Sequence, residues 1–378
     1  MSRIAALDLH LLELPLIEPF VASHGTTSQR TIVVIMVSTD AGVGWGECSA
    51  LPAATYSAES ATSAFTALVD QLAPLLIGAP ASVDEVRGRL TDFVDQPMAI
   101  SGLEMAVLNA ELKAAGASLA NWFHPQLQPG ATVTAGVSLG LDSIEAMVTK
   151  AKQLVGEGYR RLKIKIQPSE TENDLRLVEA LRDGVPETEL HLDANGSYQA
   201  NDIERLIRLV DAGATALEQP FSPADRTSAS ELIRRLADFA VPVVADEAVA
   251  SVAEAHELLD ARAMSGLSIK PGRVGGLTVA KRLHELCEAN NLAATAGGML
   301  ETGLGRHALA AMAAMSGFTL TGDLSPASRW LAADPWPDLE LIDGRITVPT
   351  GPGVAPPPDP YVLDRYRLEH RRVGATGI

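Results

Sequence analysis

The chemistry of this sequence is concentrated in the charged residues that close five successive short apolar segments. Lys163 and Lys165 lie in Leu-Lys-Ile-Lys-Ile, Asp193 in Leu-Asp-Ala-Asn, Glu218 in Leu-Glu-Gln-Pro, Asp246 in Ala-Asp-Glu-Ala and Lys270 in Ile-Lys-Pro-Gly. The three acids are 25 and 28 residues apart, one strand–helix unit each time. Taken singly, each has a plain reading: Lys-x-Lys is commonly an exposed strand edge, and an acid ending a strand commonly caps the next helix. Surface decoration does not place all of them in register on consecutive units. Three carboxylates on adjacent strands form a hard oxygen site that suits Mg²⁺, with Mn²⁺ as a substitute, and leave positions for water or a substrate oxygen. Lysines on either side of such an ion suit removal of a proton next to a carboxylate. A lysine whose pKa is lowered by neighbouring cations serves as base, while the ion acts as Lewis acid toward the developing negative charge.

Those residues need a scaffold that brings strand ends together. After Pro129 the chain alternates short apolar segments with amphipathic ones, the signature of βαβ units. Eight strands are predicted, at 132–139, 161–166, 189–193, 214–218, 241–246, 266–270, 292–296 and 318–321, with helices such as 173–181, 202–212 and 278–289 between them. Side chains at i and i+2 of a strand share a face, so Lys163 and Lys165 enter the barrel together. Catalytic groups of a closed (β/α) barrel gather at the C-terminal strand ends, where the second and sixth strands stand opposite each other. Lys165 and Lys270 would then flank the ion. Before Pro129 the pattern differs: strand-like alternation at 4–14, 30–38 and 43–48 gives way to helical spacing at 58–77, 83–94 and 102–115. The expected organisation is an α+β capping domain over 1–128, an α/β barrel of TIM-like type over 129–338, and an irregular tail over 339–378 that packs near the cap.

Composition narrows the partners. A formal charge of −17 and the absence of a Lys/Arg cluster argue against nucleic acid. No apolar run is long enough to span a bilayer, and the start of the chain lacks the pattern of a signal peptide. Cys48 and Cys287, the two cysteines, have no partner at metal-ligand spacing. A soluble cytoplasmic enzyme is expected; a homo-oligomer is compatible with this.

Other features weigh less. Gly272-Arg273-Val274-Gly275-Gly276 lacks the full spacing of a dinucleotide fingerprint and reads as a tight strand-to-helix turn. His191 shares a strand face with Asp193 and reads as a packed neighbour. Glu247, beside Asp246, reads as support behind the acids.

Longer motifs extend the pattern. They include Pro19-Phe20 with Ser23-His24-Gly25-Thr26, Gly44-Trp45-Gly46-Glu47-Cys48, Lys163-Ile164-Lys165, Asp193-Ala194-Asn195, Glu218-Gln219-Pro220, Ile269-Lys270-Pro271-Gly272-Arg273-Val274-Gly275-Gly276, the run from Gly297 to Arg306, and Gly322-Asp323-Leu324-Ser325. Through them the whole chain resembles the muconate-lactonizing-enzyme subgroup of the enolase superfamily, and within it the o-succinylbenzoate synthase / N-succinylamino acid racemase family. The resemblance implies a capping domain closing over a (β/α)₇β barrel. It implies that Asp193, Glu218 and Asp246 bind Mg²⁺, that Lys165 is the base and, in dehydration, the acid, and that Lys270 stabilises the enediolate or returns a proton on the other face. Lys163 would contact the substrate carboxylate and depress the pKa of Lys165 by charge repulsion. Ser138, Asn195, Gly298 and Met299 match barrel-mouth positions near substrate, Phe20 and Tyr56 would reach it from the cap, and Arg273 could tune Lys270.

Two relatives within the superfamily fit less well. A His-Asp dyad of the mandelate-racemase kind is missing, since the sixth strand ends in Lys270 and the seventh in Gly297-Gly298. The paired acids with which dipeptide epimerases hold an ammonium are missing too, since Ser325 stands two positions after Asp323. The resemblance therefore implies a small carboxylate substrate with a succinyl arm. First comes Mg²⁺-dependent dehydration of 2-succinyl-6-hydroxy-2,4-cyclohexadiene-1-carboxylate in menaquinone biosynthesis. The alternative is racemisation of N-succinylamino acids by two lysines. A non-catalytic barrel that binds acidic metabolites would require loss of the base or a ligand, and none is missing.

Overall fold

Alternating apolar residues at the start of the chain build one face of an antiparallel sheet. The computed structural model describes residues 2–22 and 25–374, with backbone alone at 20–22 and 25–27. Strands β1 (Ile4–Ala22), β2 (Gly25–Thr39) and β3 (Gly42–Cys48) pair antiparallel in sequence order. Leu7, Leu9, Val33, Ile35 and Val37 are fully buried, in one cluster with residues of the helix Pro97–Ala114 such as Leu103 and Val107. Gly44 and Gly46 allow that helix its close approach. A Cβ on Gly46 would lie 2.1 Å from the carbonyl oxygen of Gly102, and one on Gly44 2.0 Å from that of Ala106.

The barrel begins after a short strand, β4 (Thr132–Thr134), that does not belong to it. Strands β5 (Gly136–Leu139), β6 (Arg161–Lys165), β7 (Glu189–Asp193), β8 (Ala216–Glu218), β9 (Val243–Ala245), β10 (Gly266–Ile269) and β11 (Ala293–Ala296) form a seven-stranded parallel sheet in sequence order. Helices between them put their apolar stripes on the sheet: Leu206, Leu209 and Val210 of the helix Ile203–Asp211 are buried. The result is an α/β, TIM-like barrel carrying an α+β cap.

Three expectations need correction. The strand predicted at 132–139 divides at Ala135, because its halves pair with different partners: β4 with the tail strand β13 (Arg345–Thr347), and β5 with β6. The strand predicted at 318–321 is irregular. Leu320 N–H and Asp323 N–H donate to Ala294 and Ala296 at 3.0 and 2.8 Å, but among the described residues no backbone hydrogen bond joins this segment to β5. The tail is more ordered than its proline content suggests. It contains the hairpin of β12 (Leu341–Ile342) with β13, the helix Pro360–Arg365, and β14 (Arg367–Gly374), which pairs with β1 and adds a fourth strand to the cap sheet. The glycine turn at 272–276 is one helical turn, Pro271–Val274, ended by Gly275 and Gly276 at φ +84° and +131°.

Among the described residues, no helix is long and apolar enough to cross a membrane. The close packing of cap strand on helix makes a direct prediction. Gly46→Ala forces a methyl into a backbone carbonyl, so it should lower the unfolding free energy by about 3 kcal/mol, the upper range for overpacking. Denaturant titration reads this; a change within about 1 kcal/mol would contradict the packing described.

Candidate active site

Strand register assembles the site. Lys165 is the partner of Asp193 across β6 and β7, and Asp193 of Glu218 across β7 and β8. Asp246 follows the end of β9. The three acids are buried, at 1%, 0% and 0% exposure. One carboxylate oxygen from each lies within 4.8 Å of the others.

Four cations, Lys163, Lys165, Lys270 and Arg273, contact this trio. Lys163 Nζ donates to Glu218 Oε1 at 2.7 Å and lies 3.0 Å from Asp193 Oδ2 and 3.5 Å from Asp323 Oδ2. Lys165 Nζ donates to Asp193 Oδ2 at 2.7 Å and to Asn195 Oδ1 at 2.6 Å. Lys270 Nζ donates to Asp246 Oδ2 at 2.7 Å and to Tyr56 Oη at 3.1 Å, and stands 4.7 Å from the centre of the Tyr56 ring. Arg273 pairs with the other oxygen of Asp246 and donates to Tyr56 Oη at 3.3 Å. Lys165 and Lys270 therefore attach to the outer members of the trio, with Glu218 between.

Burial and charge compete at each group. Burial alone would lower the Lys163 pKa, but Asp193, Glu218 and Asp323 outweigh it and hold the ammonium well above its ordinary value. Burial likewise opposes the charge on Lys270, and Asp246 raises it regardless. Glu218, which burial would raise, is held well below the carboxylate range by Lys163 and His191. Burial, with Asp246 and Asp193 nearby, pushes Glu247 up to about 7.

The strand ends are fixed from behind. Asn195, two residues beyond β7, and Gln219, the first residue beyond β8, have φ of +43° and +39°, a left-handed conformation costly for residues other than glycine. Gln219 Oε1 repays this by accepting from Asp246 N–H at 2.9 Å and Ala248 N–H at 3.1 Å. Asn195 Nδ2 donates to Glu247 Oε1 at 2.6 Å, so Glu247 reaches the site through Asn195. His191 is more than a packed neighbour. Its Nε2 stands 2.9 Å from Glu218 Oε2, while Arg161 Nε donates to its Nδ1 at 3.2 Å, an arrangement that leaves the ring proton on the Glu218 side.

A pocket opens above the trio, and Tyr56, Ser138, Lys163, Lys165, Asn195, Lys270, Gly298 and Met299 all line it. Phe20 falls among side chains outside the described residues, and Ser23 and His24 are themselves outside them. Asp323 and Trp330 also line the pocket and were not anticipated there. Asp323 is pinned by Arg161, and this interaction with that of Lys163 lowers its pKa despite burial. Its sequence signals were its place two residues beyond the eighth predicted strand and the motif Gly322-Asp323-Leu324-Ser325. Trp330, whose Nε1 donates to Ser325 Oγ at 3.2 Å, gave none.

The donor set fits a divalent cation. All three groups are carboxylates, the oxygen ligands that hard ions such as Mg²⁺ take, and they sit close enough for one ion to meet an oxygen of each.

Known proteins match this chain along its whole length. Residues 8–123 match the family described as mandelate racemase / muconate lactonizing enzyme, N-terminal domain, and residues 146–362 match the enolase C-terminal domain-like family. An N-succinylamino acid racemase of Amycolatopsis is 36% identical over 99% of this chain and 100% of its own. An o-succinylbenzoate synthase of Bacillus subtilis is 34% identical over 97% of each chain. A crystal structure of an enolase-superfamily member from Listeria innocua superposes with a TM-score of 0.91 at 31% identity, covering 99% of both chains. The chain belongs to the enolase superfamily, and within it to the o-succinylbenzoate synthase / N-succinylamino acid racemase family.

Proposed function

We propose that this chain is an o-succinylbenzoate synthase, which dehydrates 2-succinyl-6-hydroxy-2,4-cyclohexadiene-1-carboxylate in menaquinone biosynthesis, in a cytosolic setting. The observation that carries this reading is the pair Lys165 and Lys270, attached to opposite ends of one buried carboxylate trio and lining one pocket. Asp193, Glu218 and Asp246 would hold Mg²⁺, with Mn²⁺ able to replace it. When bound, the ion supplies Lewis-acid stabilisation of negative charge on the substrate carboxylate.

The chain's own residues do the proton work. Lys165, in its neutral form, takes the proton next to the carboxylate, and Asn195, 2.6 Å from Nζ, fixes its direction. The Lys165 ammonium then protonates the departing hydroxyl, so the proton removed leaves as part of water. Lys270 stays protonated, supported by Asp246 and Tyr56, and donates to the enediolate. Lys163 contributes a fixed positive charge, and Ser138, Gly298, Met299 and Tyr56 shape the space around substrate. Residues 1–128 would act as the cap with residues 339–378, and 129–338 as the catalytic barrel.

N-succinylamino acid racemisation is supported by the same pair, since Lys270 meets Asp246 while Lys165 meets Asp193 and both line one pocket, so Lys270 would return a proton on the face away from Lys165. Arg273, bonded to Asp246 and Tyr56 beside Lys270, is placed to adjust that lysine. Both reactions begin with the same proton abstraction, so one pocket serves both.

Rigorous chelation should abolish turnover, and Mg²⁺ or Mn²⁺ should restore it; full activity in the chelated enzyme would refute the proposal. The lysines separate the two chemistries. Lys165→Ala should lower dehydration by about a thousandfold, within the range for loss of a general acid–base. Lys270→Arg keeps a cation but cannot act as a base, because guanidinium stays protonated. It should stop racemisation yet leave Lys165 to exchange the α-proton of one enantiomer in D₂O, read by NMR. Equal exchange of both enantiomers by Lys270→Arg would show the lysine roles to be misassigned.

A further inference from the structure

The glycine turn that follows Lys270 is a place where the cap holds the barrel. It leads from Lys270 through Pro271–Val274 into the helix Leu277–Ala289, whose first flanking residue, Gly276, has no side chain to accept from the free N–H groups of the helix start. The cap supplies the acceptor. Glu104, fully buried on the helix Pro97–Ala114, accepts from Thr278 N–H through Oε1 at 2.7 Å. Its other oxygen, Oε2, accepts from Arg87 Nη1 at 2.7 Å, and the same nitrogen donates to the Gly275 carbonyl at 3.0 Å. A Cβ on Gly276 would lie 2.5 Å from the Glu104 carboxyl carbon, and one on Gly272 would press on Ser49 Oγ, so cap side chains fill the space that these glycines leave. The favourable field of a helix start is thus taken by a carboxylate of the same chain, not left open to a ligand.

What Glu104 holds is tied closely to Lys270. Val274 N–H donates to the Lys270 carbonyl at 3.2 Å and Gly276 N–H to that of Pro271 at 2.9 Å, while the Pro271 ring fixes its own φ. A shift of the helix start therefore passes along the turn to the backbone of Lys270, whose Nζ meets Asp246 at 2.7 Å. Lys165 is placed differently. It belongs to β6, separated from β10 by three strands of the sheet, and is set by its pairing with Asp193.

We infer that Glu104, together with Arg87, is a positioning residue for Lys270: the cap carboxylate fixes the turn from which Lys270 reaches Asp246 and the substrate, so the reaction on the Lys270 face depends on this cap contact and that on the Lys165 face does not. The inference rests on the lysine roles proposed above and adds two residues that touch neither substrate nor lysine and act through the backbone.

The test uses the Mg²⁺-loaded full chain as wild type, Arg87→Met and Glu104→Asp, which draws the carboxylate back by one methylene. Circular dichroism establishes folding; should Glu104→Asp fail to fold, Arg87→Met, at a side chain 31% exposed, carries the test alone. Exchange of the α-proton of each enantiomer of N-succinylphenylalanine in D₂O is followed by NMR, and the enantiomer whose exchange Lys270→Arg abolishes marks the Lys270 face. Each variant should slow exchange on that face at least about tenfold more than on the Lys165 face, since misplacement by about 1 Å costs up to about a hundredfold. A general loss of folded enzyme slows both faces alike, so equal slowing, or none, would overturn the inference. If the wild type does not exchange both enantiomers, the two-lysine racemase reading fails by itself, and backbone amide exchange read by mass spectrometry decides. At least about tenfold faster exchange in peptides over 270–278, with those over 161–166 unchanged, supports the inference, and wild-type protection over 270–278 overturns it.

Discussion

Three carboxylates buried within 4.8 Å of one another repel strongly, and the mouth of this barrel holds them only because cations surround them. Removing charged groups from water costs several kcal/mol per ion even after relaxation, so each acid must be matched closely. The matching is done by Lys163, Lys165, Lys270 and Arg273. Two of them, Lys165 and Lys270, are also the groups proposed to act on the substrate, Lys165 by moving the proton and Lys270 by donating to the enediolate or returning a proton. Structure and chemistry thus draw on one set of charges, and a bound divalent cation would enter that set as one more positive member.

The rest of the molecule serves to keep the set in register. Parallel pairing aligns Lys165, Asp193 and Glu218 across three strands without any special local contact. The cap adds a second constraint through Arg30, which is fully buried and donates to Ser49 and Ala50 of the cap at 2.6 and 2.7 Å and to Met299 and Leu300 of the barrel at 3.2 and 3.0 Å. Leu300 itself sits at φ +56°. One guanidinium from β2 therefore fixes a barrel loop that lines the pocket to the segment from which Leu51 and Tyr56 descend. Glu47, whose carboxyl burial pushes up to about 8, accepts from the Thr302 backbone and hydroxyl at the same seam.

Much of the site was legible in the sequence because barrel geometry repeats. A residue closing one strand occupies the same level as residues closing its neighbours, so the 25- and 28-residue spacing of Asp193, Glu218 and Asp246 already carried their convergence. Contacts that do not repeat were not legible. Arg30 meets Met299 across 269 positions, and nothing in local spacing reports this. Asp323 and Trp330 follow a segment that reads as a strand but, among the described residues, makes backbone hydrogen bonds along one side alone, so its register could not be projected from its neighbours. His191 was placed on the correct face of β7, yet its contact with Glu218 depends on Arg161 holding the ring from the other side. The break at Ala135 came from competition between two partners for one apolar run, which periodicity cannot arbitrate.

The central claim is that Asp193, Glu218 and Asp246 act together as one cation site. Titration calorimetry of Mg²⁺ into the wild type, Asp193→Asn, Glu218→Gln and Asp246→Asn tests it without reference to any substrate. The account predicts one site in the wild type and at least about tenfold weaker binding in every variant, each still folded by circular dichroism. Wild-type affinity in any one of the three would contradict it.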